Sequence, residues 1–157
     1  INDALSRLTR YWFVVHQTGS QWKPLPIDPL IKHRYKPVPF IFDEFSDILA
    51  AADIVVCRAG ANTLGELAAT ETPAVLIPLP RSQSRGEQIE NADLFVLHGA
   101  ALRLTEGNLC SEALLSMLDE LRVDKYKRQL MAKKMSDLAA HDATRKIVDI
   151  VSKVSRH

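Results

Sequence analysis

Ala52-Asp-Ile-Val-Val-Cys-Arg-Ala-Gly-Ala-Asn-Thr-Leu-Gly-Glu-Leu67 opens as a short apolar run, breaks into small residues and resumes with helical spacing. The run Asp53 to Cys57 reads as a buried strand, Arg58 to Asn62 as a loop and Thr63 to Thr70 as a helix. Pro73 to Ile77 is a second buried strand, so a strand, a helix and a strand follow one another within 25 residues. Upstream, Tyr11 to Val15 is a β-rich run ended by His16-Gln-Thr-Gly19. Ser20 to Lys36 carries Pro24, Pro26 and Pro29 without periodicity and reads as loop with one helical turn. Pro37 to Ile41 is a short strand whose prolines place it at an edge, and Asp43 to Ala52 has helical spacing. Downstream come the polar loop Pro78 to Gly86, a helix Gln88 to His98, a strand Ala100 to Leu104 and helices from Leu109 onward. Asp124 to Ala139 and Ala143 to Val154 are amphipathic among these. Alternating buried strands and helices predict an α/β fold with a parallel sheet covered on both faces. In such sheets ligands lie at the carboxyl ends of the strands, here the loops after Ile41, Cys57 and Ile77.

The composition narrows the function classes. The chain has 157 residues, 46% of them hydrophobic, which is enough for one domain with its own core. Twenty Lys and Arg against 19 Asp and Glu give no global field to recruit nucleic acid. The basic residues Lys125, Lys127, Arg128, Lys133 and Lys134 have acids nearby and read as a solvated face. Cys57 and Cys110 form no metal spacing, and so sparse a pair fits a reducing cytosol. His33, His98, His141 and His157 have no ligand-spaced partners, so neither a metal nor a cofactor is expected. No apolar run reaches the roughly 20 residues that span a bilayer. Ile1 to Arg10 reads as the end of a helix, which predicts that the chain is a fragment.

The loop after Cys57 is the richest in chemistry. Gly60 and Gly65 bracket four residues as in a phosphate-binding P-loop, but Glu66 and Leu67 stand where that motif needs Lys and then Ser or Thr. GxGxxG is absent, which argues against a nicotinamide or flavin fold. Small residues before a helix start still favour a phosphate. Glu66, one turn after Thr63, has two readings: a carboxylate placed for ribose hydroxyls, or half of a Thr63-x-x-Glu66 capping box. Arg58 could pair with phosphate or with Asp53. Arg81, Gln83 and Arg85 offer donors, and Gln88 could meet sugar hydroxyls or only solvate a first helical turn. Asn91 is read as holding the loop, and His16 as a hydrogen-bonded structural residue. Ser46, Ser82 and Ser84 lack the hydrolase elbow.

These segments together resemble the MurG family of bacterial N-acetylglucosaminyltransferases. The resemblance rests on Pro39-Phe-Ile-Phe-Asp43, the Ala52 to Leu67 block, Pro73-Ala-Val-Leu-Ile-Pro-Leu-Pro80, Gln88-Ile-Glu-Asn-Ala92 and His16-Gln-Thr-Gly19, in that family's order and spacing. It covers Ile1 to about Ile150. It implies a GT-B architecture, with residues 1–157 as the C-terminal, Rossmann-like UDP-sugar-binding domain. It further implies that a strand, a glycine-serine loop and an N-terminal acceptor domain precede this stretch, with the base and the membrane-facing surface there and no catalytic residue here. The implied reaction adds N-acetylglucosamine, with inversion and without a required metal, to a lipid-linked muramoyl-pentapeptide. The implied location is cytoplasmic, with the complete enzyme peripheral on the inner face of the cell membrane. By the same resemblance the Ile41 backbone reads the uracil. Gly60, Ala61, Asn62 and Thr63 supply diphosphate donors, Glu66 holds the ribose, and Gln88 holds a sugar hydroxyl. The chain departs from the family at Arg81-Ser-Gln-Ser-Arg-Gly86 and at Glu87, where the family has His or Gln.

Two other readings stay open on sequence grounds. One is a donor-binding subunit that works with a separately encoded acceptor subunit. The other is a UDP-sugar epimerase of similar architecture, which dependence of UDP release on acceptor would separate.

Overall fold

The computed structural model describes residues 4–21, 28–139 and 143–154, the last from 143 to 147 by backbone alone. His141, His157 and residues 22–27 of the proline-bearing loop lie outside the described residues. Among the described residues five strands and seven α-helices follow one another: α1 (Leu5–Leu8), β1 (Val14–Gln17), β2 (Tyr35–Val38), α2 (Phe45–Ala51), β3 (Val55–Cys57), α3 (Ala61–Ala69), β4 (Ala74–Leu76), α4 (Glu87–Leu97), β5 (Ala101–Arg103), α5 (Ser111–Val123), α6 (Lys125–Asp137) and α7 (Ala143–Val154). The one helical turn expected in the loop before β2 is a 3₁₀ turn at Lys32–Arg34.

All pairing is parallel, as predicted, but it is split between two sheets. β1 pairs β2, and β3-β4-β5 form a separate three-stranded sheet. Among the described residues no ladder joins β1 to β3. Both nonetheless feed one apolar cluster, which includes Ala4 and Leu8 and against which Trp12, Val14, Ile54 and Val56 pack.

The alternation of side chains along each strand builds two layers. On one face Val55, Cys57, Ala74, Leu76 and Ala101 meet Leu64, Leu67 and Ala68 of α3, Ala92 and Phe95 of α4, Leu49 of α2 and Met135 of α6. On the other face Val75, Leu102 and Leu104 meet Leu114, Leu115, Leu118 and Leu121 of α5. Period two in the strands and period three to four in the helices are what a doubly covered parallel sheet demands. All three residues of β4, the middle strand, are fully buried.

Strands β1 and β2 depart most from expectation, each shifted at both ends, with β1 at 14–17 where 11–15 was expected. β1 starts at Val14 instead of Tyr11 because the Tyr11 and Trp12 amides still donate to the Leu8 carbonyl at 3.1 and 2.9 Å, extending the exit from α1. β2 runs from Tyr35 to Val38 instead of Pro37 to Ile41, and Pro37 sits opposite His16 on an edge strand, where a missing N–H is tolerated.

Candidate functional site

The structure begins α3 two residues earlier than the sequence predicts, and this removes the capping-box reading of Glu66. Gly60 is the N-cap, in extended conformation, and no side chain caps the helix. The first intrahelical bond runs from the Leu64 amide to the Gly60 carbonyl at 3.0 Å. The amides of Ala61, Asn62 and Thr63 therefore have no helical acceptor and point out of the helix start, where the helix dipole is positive. Thr63 is the third helical residue and Glu66 the sixth, so the capping box does not form. Its geometry would require Thr63 outside the helix and Glu66 in the first turn. The Glu66 carboxylate stands one turn beyond the free amides and accepts a hydrogen bond from Ser46 Oγ of α2 at 2.9 Å. Gly60 has φ −72°, a value open to any residue. A Cβ built there would meet nothing within 4 Å, so neither strain nor crowding in the protein requires glycine.

The start of α4 is tied to the same loop system. Gln88 Oε1 accepts from the Leu79 amide at 3.1 Å, which leaves its Nε2 group available to a ligand. Asn91 Nδ2 donates to the Ala59 carbonyl at 3.1 Å and so holds the glycine loop against α4, as its sequence position predicts. Gly86 caps α4 with φ 98°, and a Cβ there would sit 2.8 Å from Arg81 Nη1. Arg81 reaches Glu90 at 4.0 Å, with both side chains exposed.

Arg58 does not pair with Asp53. Its guanidinium spans Glu106, at 3.2 and 3.3 Å, and the Ile77 carbonyl at 3.1 Å. It thus joins the residues just past the ends of β3, β4 and β5, because a long planar donor can bridge three neighbouring strand ends. Arg58, Cys57, Cys110 and Ala4 also line a cavity of 380 Å³. Burial pushes the Cys57 thiol up to about 12, so it is no nucleophile near neutrality. Ile41 follows β2, and its amide is engaged by Gln17 Oε1 at 3.1 Å, which leaves its carbonyl as the free backbone group. His16 Nδ1 lies 2.9 Å from the Tyr35 hydroxyl, in keeping with a structural histidine.

The structure therefore brings Gly60, Ala61, Asn62, Thr63 and Glu66 together along one helix start and links Gln88 to that system, while Arg58 is turned to Glu106. Sequence reasoning missed Ser46, Gln17 and Glu106 as partners. Each reaches its target across 20, 24 and 48 residues respectively, beyond any local spacing signal. Among the described residues no group of three His, Cys, Asp or Glu could hold a metal ion, and no helix is long and apolar enough to cross a membrane.

Comparison with known proteins bears on this arrangement. Residues 1–149 match the glycosyltransferase family 28 C-terminal domain. A relative from Azotobacter vinelandii, described as a UDP-N-acetylglucosamine–N-acetylmuramyl-(pentapeptide) pyrophosphoryl-undecaprenol N-acetylglucosamine transferase, is 41% identical over 148 residues, covering 90% of this chain and 40% of its own. One of the same description from Treponema denticola is 38% identical over 130 residues, covering 77% and 33%. The chain thus spans well under half the length of these relatives. The crystal structure of Acinetobacter baumannii MurG superimposes with a TM-score of 0.73 at 27% identity, over 88% of this chain and 40% of that one. A glycosyltransferase of kitacinnamycin gives 0.75 at 20% identity, a likeness of fold alone. With the family model matching nearly the whole chain, the protein belongs to the glycosyltransferase family 28 C-terminal domain family.

Proposed function

We propose that this chain is the donor-binding part of an inverting transferase that moves N-acetylglucosamine from UDP to a lipid-linked muramoyl-pentapeptide. The observation that carries the reading is the uncapped start of α3, with three amides that lack helical acceptors and a carboxylate one turn further on. In this assignment Gly60, Ala61, Asn62 and Thr63 cradle the diphosphate, since backbone donors at a helix start suit an anion. Glu66 accepts from the ribose hydroxyls. The Ile41 carbonyl reads the uracil N–H, and the free Nε2 of Gln88 donates to a hydroxyl of the sugar. As the glycosidic bond breaks, negative charge grows on the leaving UDP, and the fixed amides stabilise it without reorganising. Arg58 contributes to donor binding through the loop it anchors. The acceptor, its base and the contact with the inner face of the cell membrane are assigned to the remainder of the polypeptide. From that remainder we also infer the strand that would fill the gap between β1 and β3 and complete one sheet.

Calorimetric titration of the complete enzyme tests the reading. UDP should bind more tightly than GDP or TDP, and Glu66→Gln should cost about 1–3 kcal/mol of UDP affinity, since a hydrogen bond to a charged group contributes about 1.5–3 kcal/mol and glutamine keeps a weaker neutral one. Removing the 2′-hydroxyl should hurt the wild type more than the variant. Equal binding of the three nucleotides, or equal 2′-deoxy losses in both proteins, would remove the assignment.

A further inference from the structure

We infer that Ser46 is a positioning residue for the nucleotide's ribose, acting through Glu66. This rests on the ribose reading of Glu66 given above. The Ser46 hydroxyl donates to one carboxylate oxygen, Oε2, at 2.9 Å, and the contact lies at the exposed side of the α2–α3 pair. A half-buried glutamate at a helix surface still samples several rotamers, and ordering it on binding costs entropy. One hydrogen bond from a neighbouring helix restricts it beforehand, while the second oxygen stays open to a ligand hydroxyl. The serine oxygen keeps its own lone pairs, so the pair presents acceptors on two groups toward vicinal hydroxyls.

A purely structural role for the contact is a poor fit. α2 is already fixed to the end of α3 by the buried Thr72 hydroxyl, which donates to the Leu49 carbonyl at 2.8 Å. Leu49 is buried in the core shared with α3, and Phe45 packs against that core. The helix pair is anchored without Ser46, whose bond goes to the one side chain in reach that the site assignment uses.

A double-mutant cycle in the complete enzyme, read by calorimetry with UDP and by melting temperature, tests the inference. Ser46→Ala should weaken UDP about 3- to 10-fold, the loss of one modest hydrogen bond, with an unchanged melting temperature. Ser46→Thr, which keeps the hydroxyl, should restore most of the affinity. The double variant Ser46→Ala with Glu66→Gln should bind no more weakly than Glu66→Gln alone. Wild-type affinity in Ser46→Ala beside a weakened Glu66→Gln, or losses that simply add, would overturn the role of Ser46 and leave the ribose reading standing. Wild-type affinity in Glu66→Gln would overturn both.

Discussion

The two sheets of this domain are built from similar residues and end in different conditions. In the β3-β4-β5 half every strand meets helices on both faces, and Ala74, Val75 and Leu76 have no solvent exposure. In the β1-β2 half one face of β1 joins the core through Val14, while Phe13, just before the strand, and Val15, on its other face, remain 63% and 37% exposed. β-rich residues thus suffice to make a ladder, but a strand becomes core only where elements close over it. The candidate site follows this division. The loop proposed for the diphosphate springs from the closed half, and Ile41, proposed to read the base, follows the open one.

The sharpest way to break the comparison is to truncate a large side chain in each half. Leu67→Ala, at a fully buried position, should cost about 2–5 kcal/mol in urea unfolding. Phe13→Ala in the isolated chain should change stability by no more than about 0.5 kcal/mol. Equal losses would show that the open half is packed in solution.

Acid should probe the open half alone. Burial holds the His16 imidazole below its ordinary value of 6.5. The folded protein therefore takes up a proton less readily than the unfolded chain. The stability this contributes is fully present above pH 6.5 and is lost as pH falls toward the lowered value. Melting curves between pH 7.5 and about 5.5 should show this loss, and His16→Gln should flatten it. An unchanged slope in the variant would move the effect elsewhere.

The smallest effect belongs to the closed half. Glu71 ends α3 with φ 56°, a left-handed value that costs a residue with a Cβ about 1–2 kcal/mol. Its amide and that of Thr72 donate to the Ala68 and Leu67 carbonyls, the hydrogen-bond pattern that usually takes glycine. Glu71→Gly should raise stability by at most about 1 kcal/mol, because the side chain also accepts from Ser136 at 2.8 Å. A drop in stability would mean that this contact outweighs the backbone strain.

The same division marks what was legible in the sequence. The closed half was readable because continuous burial leaves a continuous apolar signal: β3, β4 and β5 fall inside the runs 53–57, 73–77 and 100–104. The helix Ala143–Val154 was placed to the residue by its amphipathic spacing. In the open half the aromatic pair Tyr11-Trp12 looks like strand by propensity but belongs to the exit from α1. Its backbone bonds to Leu8 decide that, and residue type does not record them. The helix start at Ala61 was missed because Asn62 and Thr63, both good capping residues, lie inside the first turn while the cap is Gly60, which has no side chain to signal it. Which side chain meets Arg58 or Glu66 depends on the packing of distant elements, so Glu106 and Ser46 could be found only in three dimensions.

The closure of Arg58 on Glu106 also has an electrical consequence. The Arg58 charge beside the glycine loop is matched by a carboxylate at 3.2 Å, so the diphosphate proposed for this loop would meet a set of amide dipoles rather than a cation. Dipoles act over the first turn of a helix and attract few counter-ions, whereas an unmatched guanidinium would draw its ligand over a Debye length of about 8 Å at physiological salt. Affinity for a nucleotide at this loop should accordingly vary little with ionic strength, and the anion should be selected by shape and hydrogen-bond direction more than by charge.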